Sequence, residues 1–195
     1  NILYSRLKNN LNNSYLQLGV RSSLDGGYNT PAYNSLFLLN NKSEIINRYT
    51  KESNILSSVN LRFKKEIIDY FSGYLRLKYP IKKEENLKIV STGKLNYLNL
   101  MSEEIYSSLV LDNNSLKNNL NLIVNSAAEE DFSSEIYNNL SLAAAVFRAA
   151  ETKTPVIRAV KGGYSAYINS SGKIVWKNKL KNSIKNFNLD LNSQA

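Results

Sequence analysis

Leu122–Trp176 reads LIVNSAAEEDFSSEIYNNLSLAAAVFRAAETKTPVIRAVKGGYSAYINSSGKIVW. Leu120 to Asn125 is a continuous apolar run with polar flanks, the pattern of a strand buried on both faces. Ser134 to Thr152 carries Leu140, Ala143, Ala144, Phe147 and Ala150 at i, i+3, i+4 spacing, which predicts a helix that buries that face. Pro155 to Val160 is a strand. Gly162-Gly163 reads as a turn or a close backbone approach, leading into the strand Tyr164 to Asn169. Ser170-Ser171-Gly172 turns the chain again into Lys173 to Lys177.

Working outward toward the N-terminus, Lys94 to Leu100 and Leu87 to Ser91 form a strand pair around Thr92-Gly93. A short helix is expected over Ser102 to Leu111, with Ser102 as N-cap. Phe63 to Leu77 places Phe63, Ile67, Ile68, Phe71 and Leu75 on one helical face. Tyr33 to Leu39 and Glu44 to Tyr49 are strands joined by a hairpin turn at Asn40-Asn41-Lys42. Tyr15 to Val20 is a strand, Arg21 to Pro31 a loop, and Ile2 to Leu11 has near-helical spacing. Strands interleaved with helices predict an α/β fold, sheets covered by helices. After Lys177 the chain turns polar and Asn/Lys-rich, which reads as a tail or strap.

Composition narrows the chemistry. The chain has 195 residues, 43% hydrophobic and 21% charged, enough for a sizeable core. It has no Cys and no His, so disulfides, thiolate sites and a Ser-His-Asp triad are excluded within it. No run approaches the roughly 20 apolar residues of a membrane span. The formal net charge is +9 and the pI about 9.5. An A+T-rich genome, which favours Lys and Asn codons, explains such a balance without function; an anionic lipid surface is the functional partner it suits. The basic residues are scattered and no nucleic-acid motif accompanies them, so nucleic acid is not expected as a partner. G-x-S-x-G, G-x-G-x-x-G, Walker and H-E-x-x-H signatures are all missing. Glu103-Glu104 sits where carboxylates favour a helix start. Glu129-Glu130-Asp131 follows a buried strand, where α/β sites gather, although three carboxylates together also describe a solvated loop.

The quoted segment resembles the carbon-nitrogen hydrolase (nitrilase) domain of bacterial apolipoprotein N-acyltransferase. In that family a strand ending in L-V-N leads to S-N-D-x-W-F-G, then to a helix with A-x-x-R-A-x-E. R-P-x-x-R-A-T-N-T-G and a strand pair around P-x-G follow. Ile123-Val124-Asn125, Phe132, Tyr137, Arg148-Ala149-Ala150-Glu151, Pro155, Arg158-Ala159, Gly163 and Ser171-Gly172 keep this pattern. Upstream, Tyr33-Asn34-Ser35 resembles Y-N-S, Tyr49-Thr50-Lys51 resembles Y-x-K, and Leu100 to Tyr106 resembles I-C-[YS]-E-x-x-[FY].

The resemblance implies a nitrilase-type αββα sandwich over residues 1–177, expected to lack its first strand-helix unit, with 178–195 as a polar tail. It implies a catalytic lysine at Lys51, a carboxylate at Glu103, and a nucleophilic cysteine at the position held by Met101. A thioether cannot ionise or attack an ester. The family's W-P-E base lies before anything present here, Ile55 to Asn60 replaces its P-F-G-E loop, and Glu129, Glu130 and Asp131 replace part of S-N-D-x-W as a candidate pocket loop. The expectation is an inactive relative with a binding or scaffolding role in a membrane-associated assembly, at the periplasmic face of the bacterial inner membrane. No cofactor and no metal are expected. The alternative is a phospholipid-to-lipoprotein acyltransferase whose Cys was replaced at Met101.

Overall fold

A computed structural model describes residues 14–23, 32–50, 89–93, 95–106, 120–129, 134–179 and 184–189. The chain divides into two compact units, residues 1–86 and 87–195. The expected helices at Ile2 to Leu11 and Phe63 to Leu77 lie outside the described residues.

The first unit contributes an antiparallel sheet ordered β1 (Leu16–Ser23), β2 (Ala32–Leu39), β3 (Ile45–Thr50). β1 runs three residues past the expected Val20, because Arg21, Ser22 and Ser23 find partners in Asn34, Tyr33 and Ala32. The β2–β3 turn is built by Asn40, whose Oδ1 accepts from the N–H groups of Lys42 and Glu44, both at 2.9 Å. This is the local bonding that makes asparagine a turn residue.

The second unit holds a six-stranded mixed sheet, ordered β4 (Ile89–Ser91), β5 (Asn96–Met101), β6 (Leu122–Ala128), β7 (Val156–Lys161), β8 (Ser165–Ile168), β9 (Ile174–Asn178). β5, β6 and β7 are parallel; β4 pairs antiparallel with β5, β8 with β7, and β9 with β8. Asn169 repeats the device of Asn40: its Oδ1 accepts from the N–H of Ser171 at 3.2 Å and of Lys173 at 2.9 Å. Gly172 closes that turn at φ 82, with Val146 O at 3.2 Å from where a Cβ would stand.

Helix α1 (Glu135–Thr152) follows β6 and returns the chain to β7. Its existence and limits match the sequence pattern, and Lys153 ends it in the left-handed region at φ 50. The buried face does not match. Leu140 and Phe147 are 58% and 66% exposed, and the helix buries Asn138, Ser141, Leu142, Ala145, Arg148 and Ala149 instead. Both faces carry apolar residues, so hydrophobicity alone does not choose between them. The choice falls to the face whose small residues admit the sheet closely and whose polar residues have buried partners. Leu142, Ala145 and Ala149 pack with Leu98, Leu100, Ile123, Val156, Ala166 and Ile168 to form the core.

The segment after β5 also departs from expectation. Ser102–Tyr106 is a 3₁₀ helix rather than the opening of an α-helix, and residues 107–111 lie outside the described ones. Ser102 has φ 49, whereas an N-cap residue is extended.

Candidate functional site

Met101 is the last residue of β5, at the carboxyl end of a parallel pair. Successive strand residues point to opposite faces. Leu98 and Leu100 enter the core against α1, which places Tyr97, Asn99 and Met101 on the other face; on β6 the register adds Leu122, Val124 and Ser126 to it. Met101 is 9% exposed.

Three side chains hold the backbone around residue 101. Glu104, itself buried, turns back so that Oε2 accepts the Met101 N–H at 2.7 Å. This supplies an acceptor at the point where the chain leaves the β5 ladder and enters a tight turn. Asn125 Nδ2 donates to the carbonyls of Leu100 at 3.1 Å and Ser102 at 3.4 Å, one on each side of Met101. Arg148 Nε donates to Ile105 O at 3.3 Å, tying the 3₁₀ helix to α1. Burial lowers the pKa of Arg148 and neighbouring Glu151, 3.1 Å away, opposes that shift. Beneath Met101 on the same strand, burial pushes the Tyr97 hydroxyl up to about 12, against a smaller opposing effect of its bond with Asn99.

Of the residues implied as catalytic, the structure describes Met101 with its side chain and the backbone of Glu103. The Glu103 side chain, Lys51, Glu130 and Asp131 lie outside the described residues. The buried carboxylate of this turn is Glu104, the second member of the Glu103-Glu104 pair.

Glu129 is 2% exposed and belongs to a buried network on the α1 side of the sheet. Its Oε1 lies 2.8 Å from Arg158 Nη2 and accepts from Ser141 Oγ at 2.5 Å. Arg158 also donates through Nη1 to Ser141 O and through Nη2 to Ser141 Oγ. With its amide nitrogen turned toward Glu129, Asn138 donates to Oε2 at 3.2 Å and its oxygen accepts from Lys179 at 3.1 Å. Burial lowers the Arg158 pKa, and Glu129 opposes that shift. Gly163 leaves the room this carboxylate occupies: a Cβ there would overlap Glu129 Oε2. The glycine pair therefore combines a turn, with Gly162 at φ 84, and a close approach at Gly163. Glu129 and Met101 sit at the ends of neighbouring strands, on opposite faces.

At the surface, Glu135 accepts from Tyr164 Oη at 2.6 Å and pairs with Lys179. The Lys179 bond, then the Tyr164 bond, lowers the Glu135 pKa. Among the described residues no cluster of three His, Cys, Asp or Glu side chains is placed to hold a metal ion.

No family model and no curated protein sequence matches the chain. Solved structures do match. One is Saccharomyces cerevisiae Nit3, a member of branch 10 of the nitrilase superfamily, with a TM-score of 0.64 at 12% identity. The match covers 90% of this chain, which spans 60% of that protein's length. At this identity the likeness is one of fold: the chain has an α/β, nitrilase-type fold.

Proposed function

We propose that this chain is a catalytically inactive domain of the apolipoprotein N-acyltransferase type, with a binding or scaffolding role in a membrane-associated assembly. The observation that carries the reading is Met101. On a nitrilase-type fold, the residue to which the sequence resemblance assigns the family's thiol position is a buried thioether at the carboxyl end of a parallel strand. A thioether offers no ionisable proton and forms no acyl intermediate. A net charge of +9 supports an anionic lipid surface as partner, and the resemblance supports the periplasmic face of the inner membrane as the location. Among the described residues no helix is long and apolar enough to cross a membrane, so attachment through the described helix would be peripheral.

The test is covalent acylation. The chain is incubated with phospholipid vesicles and its intact mass measured. The reading expects no added acyl group, and an acylated native protein refutes it. One observation favours a second reading, an acyltransferase whose Cys was replaced: Glu104, Asn125 and Arg148 still brace the turn on which a nucleophile would sit. Met101→Cys separates the two. The first reading expects the variant to stay unmodified, whereas the second expects an acyl thioester and release of lysophospholipid.

A further inference from the structure

We infer that β9, the edge strand of the six-stranded sheet, and residues 184–189 of the strap after it form the surface by which this domain lies on an anionic bilayer. The inference rests on the membrane reading above and names the surface responsible. Residues 173–189 read KIVWKNKLKNSIKNFNL, with five lysines (Lys173, Lys177, Lys179, Lys181, Lys185) and no Asp or Glu. This short segment is therefore locally cationic, with no carboxylate of its own to offset its lysines.

Apolar residues of this segment are exposed beside the lysines. Ile184 is 96% exposed, Val175 54% and Ile174 36%. A fully exposed isoleucine gains nothing in water but gains on entering an acyl boundary. Phe187 lies on the strap against Tyr167 and Trp176, with ring centroids 4.8 and 5.6 Å apart. Aromatic residues of this kind settle at headgroup level. Lys173, Lys177 and Lys185 are exposed, and their aliphatic stems can lie along apolar surface while the ammonium groups meet phosphates. Lys179 is already engaged by Glu135 and contributes less. Single-stranded nucleic acid also binds lysines and aromatic rings, but it has no use for exposed Ile184 and Val175. The rings here also pack on one another.

Trp176 is the single tryptophan of the chain, so its emission reports contact with lipid directly. The experiment titrates the full chain with mixed phosphatidylglycerol and phosphatidylethanolamine vesicles, and separately with phosphatidylcholine vesicles, following Trp176 emission and flotation. Binding is expected to the anionic vesicles only, with a blue shift and weakening as salt rises. Ile184→Asn is expected to weaken it about tenfold. Combined Lys173→Gln, Lys177→Gln and Lys185→Gln substitutions are expected to weaken it about 100-fold, at about fivefold per lysine. Lys42→Gln, exposed in the first unit, leaves it unchanged. All these positions are exposed, so unchanged melting temperatures verify the fold. If the native chain ignores anionic vesicles, the membrane reading and this inference both fall. If it binds and the strap variants bind equally well, the reading stands and the assigned surface is wrong. If it binds a short single-stranded RNA more tightly than vesicles, and the lysine changes abolish that while Ile184→Asn does not, the face is a nucleic-acid site and the inference is overturned.

Discussion

Replacing Arg158 with Met tests whether Glu129 and Arg158 hold α1 on the sheet as a coupled pair. Both residues are 2% exposed, so neither charge has water to fall back on. Arg158→Met removes the cation 2.8 Å from Glu129 Oε1 and the two bonds to Ser141, while the carboxylate keeps only the hydroxyl of Ser141 and the amide of Asn138. Breaking a buried pair from one side costs about 3–5 kcal/mol, whereas replacing both partners with apolar residues of similar volume is close to neutral. With a urea m-value of about 2–3 kcal/mol/M, the single change lowers the unfolding midpoint by roughly 1–2 M. Glu129→Leu with Arg158→Met recovers most of that loss. Trp176 lies in the same unit, so its fluorescence follows the right transition. Gly163 provides an independent arm. Gly163→Ala forces a Cβ into Glu129 Oε2 and to 2.9 Å from Val160 Cγ1 and is expected to cost about 1–3 kcal/mol, with the Glu129 share of the cost removed in a Glu129→Ala background. A midpoint shift under about 0.3 M for Arg158→Met, or single losses that simply add in the double variant, refutes the coupling.

The buried face of α1 is checked by paired truncations: Leu142→Ala is expected to cost about 2–5 kcal/mol and Leu140→Ala to stay within about 0.5 kcal/mol, both by urea unfolding. Glu104→Ala removes the acceptor of the Met101 N–H and is expected to cost about 1–3 kcal/mol, with faster amide exchange at residue 101; Glu104→Gln, which retains an acceptor oxygen, falls between. Tyr97 gives a pH signature. Its folded-state pKa is raised, so its contribution is fully present below pH 10 and is lost as pH rises toward about 12. The stability difference between native chain and Tyr97→Phe should therefore shrink by about 2–3 kcal/mol across that window, measured by denaturation at stepped alkaline pH.

Most of the second unit, and the β2–β3 hairpin of the first, are legible in the sequence because their boundaries are marked by local chemistry. Asn40, Asn169 and Gly172 make their turns through bonds or φ values set within a few residues. The buried face of α1 is not local. It depends on Glu129 and Arg158, which meet across 29 residues of sequence, and on Ala145 and Ala149, whose value lies in what they let approach. The spacing of Ser141, Ala145 and Ala149 at i, i+4, i+8 is a signal that could have found this face, since a line of small residues marks close packing. Glu104 was illegible for a similar reason: its carboxylate reaches the Met101 N–H through the turn at Ser102, whose φ is 49.

The bonds that brace residue 101 hold the shape of this turn without engaging its side chain. Glu104 binds a backbone N–H, Asn125 two carbonyls, and Arg148 a third carbonyl. None of these contacts involves the side chain of residue 101, so the turn is indifferent to whether that side chain is a thiol or a thioether. Met is unbranched and adapts its shape to the space available, and at 9% exposed it fills this position without a polar group to satisfy. It follows that Met101→Cys changes reactivity while leaving the backbone where it is. With no other cysteine in the chain, that thiol can be followed alone. Its acylation, or its failure to acylate, then reports on the residues facing position 101 rather than on the geometry of the turn.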